Sequence, residues 1–439
     1  MARSDNRWYF SFLPYNLASG STSPLIPLFI TEVLRGSLSQ VGLASAISSA
    51  ASVPSNILWG NLSDTTGLRR PFVLIGFGGL ALALFMMGVA TSIPSYFFAN
   101  LVLGLLATAS VPIGTVLVLE VNKREDWANE LGSFSKVGGI GWVGGLALGV
   151  LWLQLGDLGV NGEAPLRTLF ILAATLSTLS ILIALRFIPE PRRKVDRRTV
   201  DLKRLSYPLI IFERARYLPG RMVHVLSLST RNMSSRNFPV NLRRYYLVAF
   251  FIFAGTLSFF VILPIFLLNE MGLSSSEVFL VYLSSSAVSA ITYQRFGGLV
   301  TAMGGKRVQM RGLVGRAVAF PAFILISMIP LGQWENLLAA AALHGLVGYC
   351  WAAISVSGFA LVSNLSYSAY RAEGMGLYNS TQGIASIMGS LLGGVVAQFL
   401  GYLAAFCMAS AFLVTAMLLL RGIDVDTPTP EDDSPIRSG

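Results

Sequence analysis

The chain has 439 residues, of which 54% are hydrophobic and 12% charged, with mean hydropathy +0.64. A soluble domain carries about 25% charged residues, so the composition excludes an ordinary soluble enzyme and points to a polytopic membrane protein. The net charge of +10 is confined to particular loops, which argues for membrane topology and against a nucleic-acid partner.

Apolar runs near the ~20 residues needed to cross a bilayer recur along the chain. They predict twelve helical spans at about 8–33, 39–59, 71–91, 95–119, 132–156, 166–188, 244–269, 276–297, 312–331, 335–362, 374–399 and 401–421. The first run is longer than a signal-peptide core and is read as a retained span. It is unusually polar, carrying Tyr15, Asn16, Ser19, Ser21, Thr22 and Ser23 ahead of Pro24 and Pro27. Asn16, an amide in mid-span that needs a partner, is the foremost substrate-contact candidate, with Ser19 beside it.

Span 2 ends in Gly60-Asn-Leu-Ser-Asp64-Thr-Thr-Gly67-Leu-Arg69-Arg70, a tight polar turn in which Gly60 and Gly67 are free to take backbone angles closed to other residues. A degenerate copy, Gly298 to Arg307, aligns Gly305 with Gly67 and Arg307 with Arg69, while Ala302 stands in place of Asp64. Gly132, Phe134, Gly139, Gly145 and Gly149 of span 5 align likewise with Gly376, Tyr378, Gly383, Gly389 and Gly393 of span 11. The chain therefore reads as a duplicated unit, and such glycine spacing lets helix backbones approach closely.

Fourteen of the 32 Lys and Arg residues fall between Pro189 and Arg244, dividing the molecule six plus six. Lys and Arg mark cytoplasmic loops, so both termini and the central loop are expected on the cytoplasmic side of the cell membrane. The expected units are 1–190, a basic linker 191–243, 244–422, and an acidic disordered tail 423–439. The linker is either a solvated topology anchor or, over 202–218, a surface helix on anionic lipid. Cys350 and Cys407 lie in apolar segments and suggest neither a disulfide nor a metal site.

Ionisable groups deep in a span are costly and therefore functional suspects. His344 in span 10, with Trp351 and Ser355 on the same helical face, could carry a proton or touch substrate, or could be a packing histidine. Lys136 of span 5 could bind an anion, or snorkel, or pair with Glu120 or Glu130. Arg316 of span 9 is expected at the interface. Glu120 closes span 4 and is a further coupling candidate; Tyr378 and Gln382 of span 11 are candidate substrate contacts.

Twelve spans, the basic central loop and the turn after span 2 together resemble the major facilitator superfamily of secondary transporters. Its loop signature is met by Gly60, Asp64, Gly67, Arg69 and Arg70. The resemblance implies an all-α fold of two pseudo-symmetric six-helix bundles that rock about a midplane cavity. It implies that Asp64 faces the start of span 11, and that Arg69 and Arg70 help hold the cytoplasmic side shut. Proton-coupled drug antiporters of the family usually carry Arg four residues before a Gly in span 4, where Asn100 stands before Gly104. They also carry Gly-Pro-x-x-Gly-Gly in span 5, where this chain has Gly145-Leu-Ala-Leu-Gly149-Val.

The leading expectation is a monomeric transporter of a small organic solute, with export and proton coupling as its finer form. The alternatives are a sugar, metabolite or organic-anion importer or facilitator, and a non-transporting solute sensor. No Walker loop, Gly-x-Ser-x-Gly or paired-His motif is present, so neither an enzyme nor a cofactor or metal is expected.

Overall fold

The computed structural model describes residues 6–123, 126–157, 163–190, 238–367 and 371–425. Most of the basic linker and nearly all of the acidic tail lie outside these residues. Every regular element among the described residues is helical, and each of the twelve expected segments is occupied by helix.

Span 1 is a 3-10 turn, Asn6–Ser11, followed by helices Phe12–Thr22 and Leu25–Glu32. The break falls where Pro24 removes a backbone donor. Spans 2 and 3 are Leu38–Thr66 and Arg70–Val89. Span 4 runs Ile93–Leu106 and Ser110–Val121 through a short 3-10 step. Spans 5 and 6 are Trp127–Asp157 and Ala164–Phe187. Span 7 runs Val240–Phe260 and Leu263–Asn269 around Pro264, and span 8 is Ser275–Met303. Span 9 is Gly305–Ser327 and span 10 is Gln333–Leu365. Spans 11 and 12 form one stretch, Arg371–Arg421, bent at the single non-helical residue Gly401.

Nine helical segments among the described residues are long and apolar enough to cross a membrane, and Arg371–Arg421 contributes one segment that holds both of its spans. Spans 1 and 8 are not among them. Span 1 is broken into short helices, and span 8 carries Ser284–Ser286, Thr292, Gln294 and Arg295. The polar side chains of these two spans must find partners in their surroundings.

The expected start of span 9 is corrected. Its helix begins at Gly305, seven residues before the expected 312, because Gly304 (φ +85°) ends span 8 abruptly. The charges Lys306, Arg307 and Arg311 therefore lie inside the helix rather than in a preceding loop.

Within each half an aromatic knot holds the helices together. In the first, Phe12 meets Phe77 and Phe134 edge-on at 4.9 and 4.8 Å. In the second, Phe259 stacks on Phe320 at 3.9 Å and touches Phe406 at 4.8 Å. Lipid tails are as apolar as these side chains, so such contacts stabilise by close packing rather than by escape from water.

The halves meet along spans 2 and 11 and along spans 5 and 8. Gly42 lies against the Ser390 carbonyl and Gly394, so that a Cβ there would collide with backbone, and the Phe279 ring fills the space over Gly149. The Leu38 N–H donates to Gln398 Oε1 at 2.9 Å across the first seam. Toward the basic-loop ends of the same helices, Gly60, Gly132, Gly298 and Gly376 have no described heavy atom within 4 Å of a Cβ position. A crevice of about 540 Å³ separates spans 2 and 11 there. Among the described residues, the halves are in contact at the short-loop end and apart at the basic-loop end.

Gly394→Val should wedge the closed seam apart, since overpacking against backbone costs about 1–3 kcal/mol. With Leu38→Cys and Gln398→Cys in a background lacking Cys350 and Cys407, cross-linking should slow several-fold. An unchanged rate would show that this seam does not hold the face shut.

Candidate functional site

Between the bundles lies a cavity of about 320 Å³. Span 1 supplies Ser19, Thr22 and Ser23, just ahead of the helix break at Pro24; span 5 supplies Trp142; spans 7 and 8 supply Phe260 and Tyr282. A mostly apolar wall with a few hydroxyls is what binds a small amphiphilic molecule while fixing its orientation. Of these residues the sequence singles out Ser19 as a substrate contact. Trp142, Phe260 and Tyr282 escape it, because nothing in an apolar run distinguishes a wall from a core.

Asn16 is not among the residues lining this cavity. Its Nδ2 donates to the Phe12 carbonyl at 2.8 Å, and the side chain packs on Gly138 and Gly141 of span 5. The partner an intramembrane amide requires is found in its own helix. Tyr378 is likewise buried, stacked with Tyr245 and edge-on to Phe253. Gln382 faces the crevice between spans 2 and 11.

His344 is buried, with Nδ1 3.0 Å from the Val281 carbonyl and Nε2 without a hydrogen-bond partner among the described residues. It sits behind the cavity wall, its ring 4.9 Å from that of Tyr282 and 5.6 Å from that of Phe260. Trp351 does not touch the His344 ring but lies under Arg316, whose guanidinium is 4.8 Å above it. Ser355, one turn on, stands with Trp351 beside Tyr293 of span 8. Lys136 is exposed and has no ion pair among the described residues. Glu130, its suggested partner, instead accepts from Asn6 and Tyr9.

Arg316 overturns its expected interfacial placement. Only 1% of it is exposed, and it is the twelfth residue of the 23 in Gly305–Ser327. Roughly 16 Å of helix separates it from the helix start, too far to snorkel. The early helix start is the physical reason.

The expected tight turn from Gly60 is corrected: span 2 stays helical through Gly60 to Thr66 and the chain turns only at Gly67 (φ +68°), and the charges at this end form a network within the first half. Arg69 donates Nη2 and Nε to Glu120 at 2.6 and 3.0 Å, and Nη1 to Asp64 at 2.7 Å. Hydrogen bonding to Glu120, and then to Asp64, holds the guanidinium above its ordinary pKa against the opposing effect of burial. Glu190, just past span 6, accepts the N–H groups of Arg69 and Arg70 at 2.6 and 3.1 Å, where a helix N-terminus favours negative charge. The degenerate copy answers with the opposite polarity: Lys306 Nζ donates to the Arg421 and Ile423 carbonyls at the end of span 12. Asp64, its side chain 68% exposed, pairs with Arg69 at the end of span 2, and residues 368–370, which lead into span 11, lie outside the described residues. Glu120 is engaged by Arg69 at the basic end, away from the cavity.

The chain can now be compared with known proteins. The family model described as Major Facilitator Superfamily matches residues 8–355 and, again, 245–438. The chain belongs to the Major Facilitator Superfamily. It is 23% identical over 372 residues to an uncharacterized MFS-type transporter, YuxJ of Bacillus subtilis (strain 168), spanning 83% of this chain and 81% of that one. It is 22% identical over 415 residues to the multidrug resistance protein MdtG of Salmonella paratyphi C (strain RKS4594), spanning 93% and 91%. In fold it matches the nucleoside transporter NupG with TM-score 0.65 at 16% identity, covering 96% and 99%. It matches a bacterial homolog of the human lysosomal transporter Spinster, in an inward-facing and unoccupied conformation, with TM-score 0.71 at 15% identity, covering 98% and 100%. This superfamily member is a multi-pass membrane protein with a transporter fold.

Because Arg69 is buried and Glu120 is its bidentate partner, Glu120→Gln should destabilise the protein by roughly 1–3 kcal/mol. Thermal unfolding in detergent checks this, and an unchanged midpoint would remove the pair from the stability of the first half.

Proposed function

We propose that the protein is a secondary transporter that carries a small amphiphilic organic solute by alternating access, exporting it across the cytoplasmic membrane. The observation that carries this reading is the apolar, aromatic-walled cavity between two bundles that are sealed at one end only. The multidrug name of the MdtG relatives supports a lipophilic cargo.

In this reading the basic loops and both termini are cytoplasmic, and the structure corresponds to the inward-open state. Rocking would bring the basic ends of spans 2 and 11 together. Asp64 would then exchange part of its bond to Arg69 for the N-terminus of span 11, making the turn a latch. Arg70 and the glycines Gly60 and Gly67 shape that latch. Ser19 and the rings of Trp142, Phe260 and Tyr282 contact the solute. Proton coupling falls to His344, which adjoins the cavity wall, rather than to Glu120 or Lys136. The protein works as a monomer with its linker near the lipid surface.

The test is flux of lipophilic dyes into or out of proteoliposomes. Asp64→Asn should slow turnover several-fold while leaving KM within about twofold, because an interaction specific to one conformation alters the cycle rather than binding. Phe260→Ala should instead raise KM roughly tenfold or more through lost apolar contact. Equal effects of both variants on KM would remove the distinction between latch and wall.

A further inference from the structure

Arg316 is a buried cation whose environment supplies no neutralising charge among the described residues. Its Nη1 donates to Thr256 Oγ1 at 2.9 Å and its Nε to the Val347 carbonyl at 3.4 Å. Nη2 makes no hydrogen bond among the described residues. The guanidinium otherwise faces the rings of Trp351, Phe260 and Phe320 at 4.8, 5.5 and 5.8 Å. Spans 7, 9 and 10 thus build a cage around it, with Tyr293 of span 8 and Cys350 close by.

The described acids near this half are accounted for elsewhere. Glu277 caps span 8 through the Ser274 N–H and holds Gln333. Glu335 accepts the Gly332 N–H at the start of span 10, and Glu270 is exposed at the end of span 7. Aromatic faces and a hydroxyl stabilise a guanidinium but leave its full charge, and an unpaired charge in a low-dielectric interior is costly. An ionisable group at such depth is by default a functional site that needs its partner named.

The geometry supplies a place for that partner. Phe260 belongs both to the cage of Arg316 and to the wall of the cavity. Tyr293, 38% exposed, leaves the cage one ring away from accessible surface. We propose that Arg316 recognises the anionic group of an amphiphilic organic anion, a carboxylate or sulfonate, whose apolar body lies against Phe260 in the cavity. The inference rests on the transporter reading for its biological meaning, but not for its test. A planar guanidinium with a free Nη2 suits a carboxylate or sulfonate better than a point-charge ammonium would. Thr256 and Val347 engage Nη1 and Nε, which leaves Nη2 without a hydrogen-bond partner among the described residues.

The experiment is binding to the full-length protein in lipid nanodiscs, read by tryptophan fluorescence and by thermal shift. The probes are 2-naphthoate, its neutral isostere 2-naphthylmethanol, and sodium chloride alone. Wild type should bind and be stabilised by naphthoate at least tenfold more tightly than by the alcohol. A charge-assisted contact of this kind is worth on the order of 10- to 100-fold in affinity. Arg316→Gln should abolish that preference and leave binding of the alcohol within threefold. Arg316→Lys, which keeps the charge without the fork, should retain only part of it. If Arg316→Gln does not fold, the wild-type preference and the Arg316→Lys loss still decide.

Equal affinity of wild type for acid and alcohol would overturn the proposal. So would an Arg316-dependent response to chloride with none to naphthoate. Flux separates the two readings. Arg316-dependent naphthoate binding without flux of any solute would sink the transporter reading alone. Flux of neutral or cationic amphiphiles unaffected by Arg316→Gln, with no anion preference, would sink the anion subsite alone.

Discussion

Spans 1 and 5 meet where Gly145 presses on the Leu17 carbonyl and Gly20 on the Trp142 carbonyl; spans 7 and 11 meet where Gly389 and Gly393 press on the Ala254 and Ser258 carbonyls. The Ser258 hydroxyl then donates across to the Gly389 carbonyl at 2.9 Å. Among lipid tails an apolar side chain gains little by leaving one apolar neighbour for another, so backbones must approach closely enough for dispersion and polar contacts to act. Any side chain at these glycines would keep the helices apart. The same small-residue faces at Gly42, Gly149 and Gly394 then make the seams between the bundles. Those seams are smooth, and the bond from Leu38 to Gln398 is a single neutral hydrogen bond at the end of one of them. Such contacts hold one conformation and release it without a large penalty.

Polarity is distributed in accordance with that constraint. The hydroxyls of Ser21 and Thr22 in span 1 fold back onto the Ala18 carbonyl, while Ser19 and Ser23 are half-buried beside the cavity. Ser284 of span 8 and Asn16 of span 1 satisfy themselves on carbonyls within their own bundles. The cavity is left with a few oriented oxygens on an aromatic wall. Behind that wall stand His344 and Arg316, both against Phe260. A change in how Phe260 packs would be felt by both groups.

The charged ends of the helices serve a different purpose. Arg69, Asp64, Glu120 and Glu190 tie spans 2, 3, 4 and 6 into one unit at the basic end. Lys306 does the equivalent for spans 9 and 12 with the opposite charge, since it meets carbonyls where Glu190 meets N–H groups. Each half is thereby stiffened at the end where it is not clamped to the other. In the proposed rocking motion each bundle would move as a body, which such stiffness would serve.

The sequence by itself determined the class, the approximate helix positions apart from the start of span 9, and the family. These rest on run length, turn residues and charge placement, all of which are local properties of a chain in a bilayer. Of the Gly60–Arg70 stretch, the left-handed Gly67 and the Asp64–Arg69 pair were legible in this way, whereas the helix running on through Gly60 to Thr66 and the bonds to Glu120 and Glu190 were not. Only the tertiary structure decided which polar residue faces what. Asn16 and Arg316 illustrate it in opposite directions, the first drawn into a helix seam by Gly138 and Gly141, the second carried to mid-helix by a start at Gly305. Depth along a helix depends on where the helix begins, and orientation depends on the neighbours it packs against. Neither is written in the local pattern of apolar and polar residues, so the walls of the cavity and the cage around Arg316 emerged only when the helices were assembled.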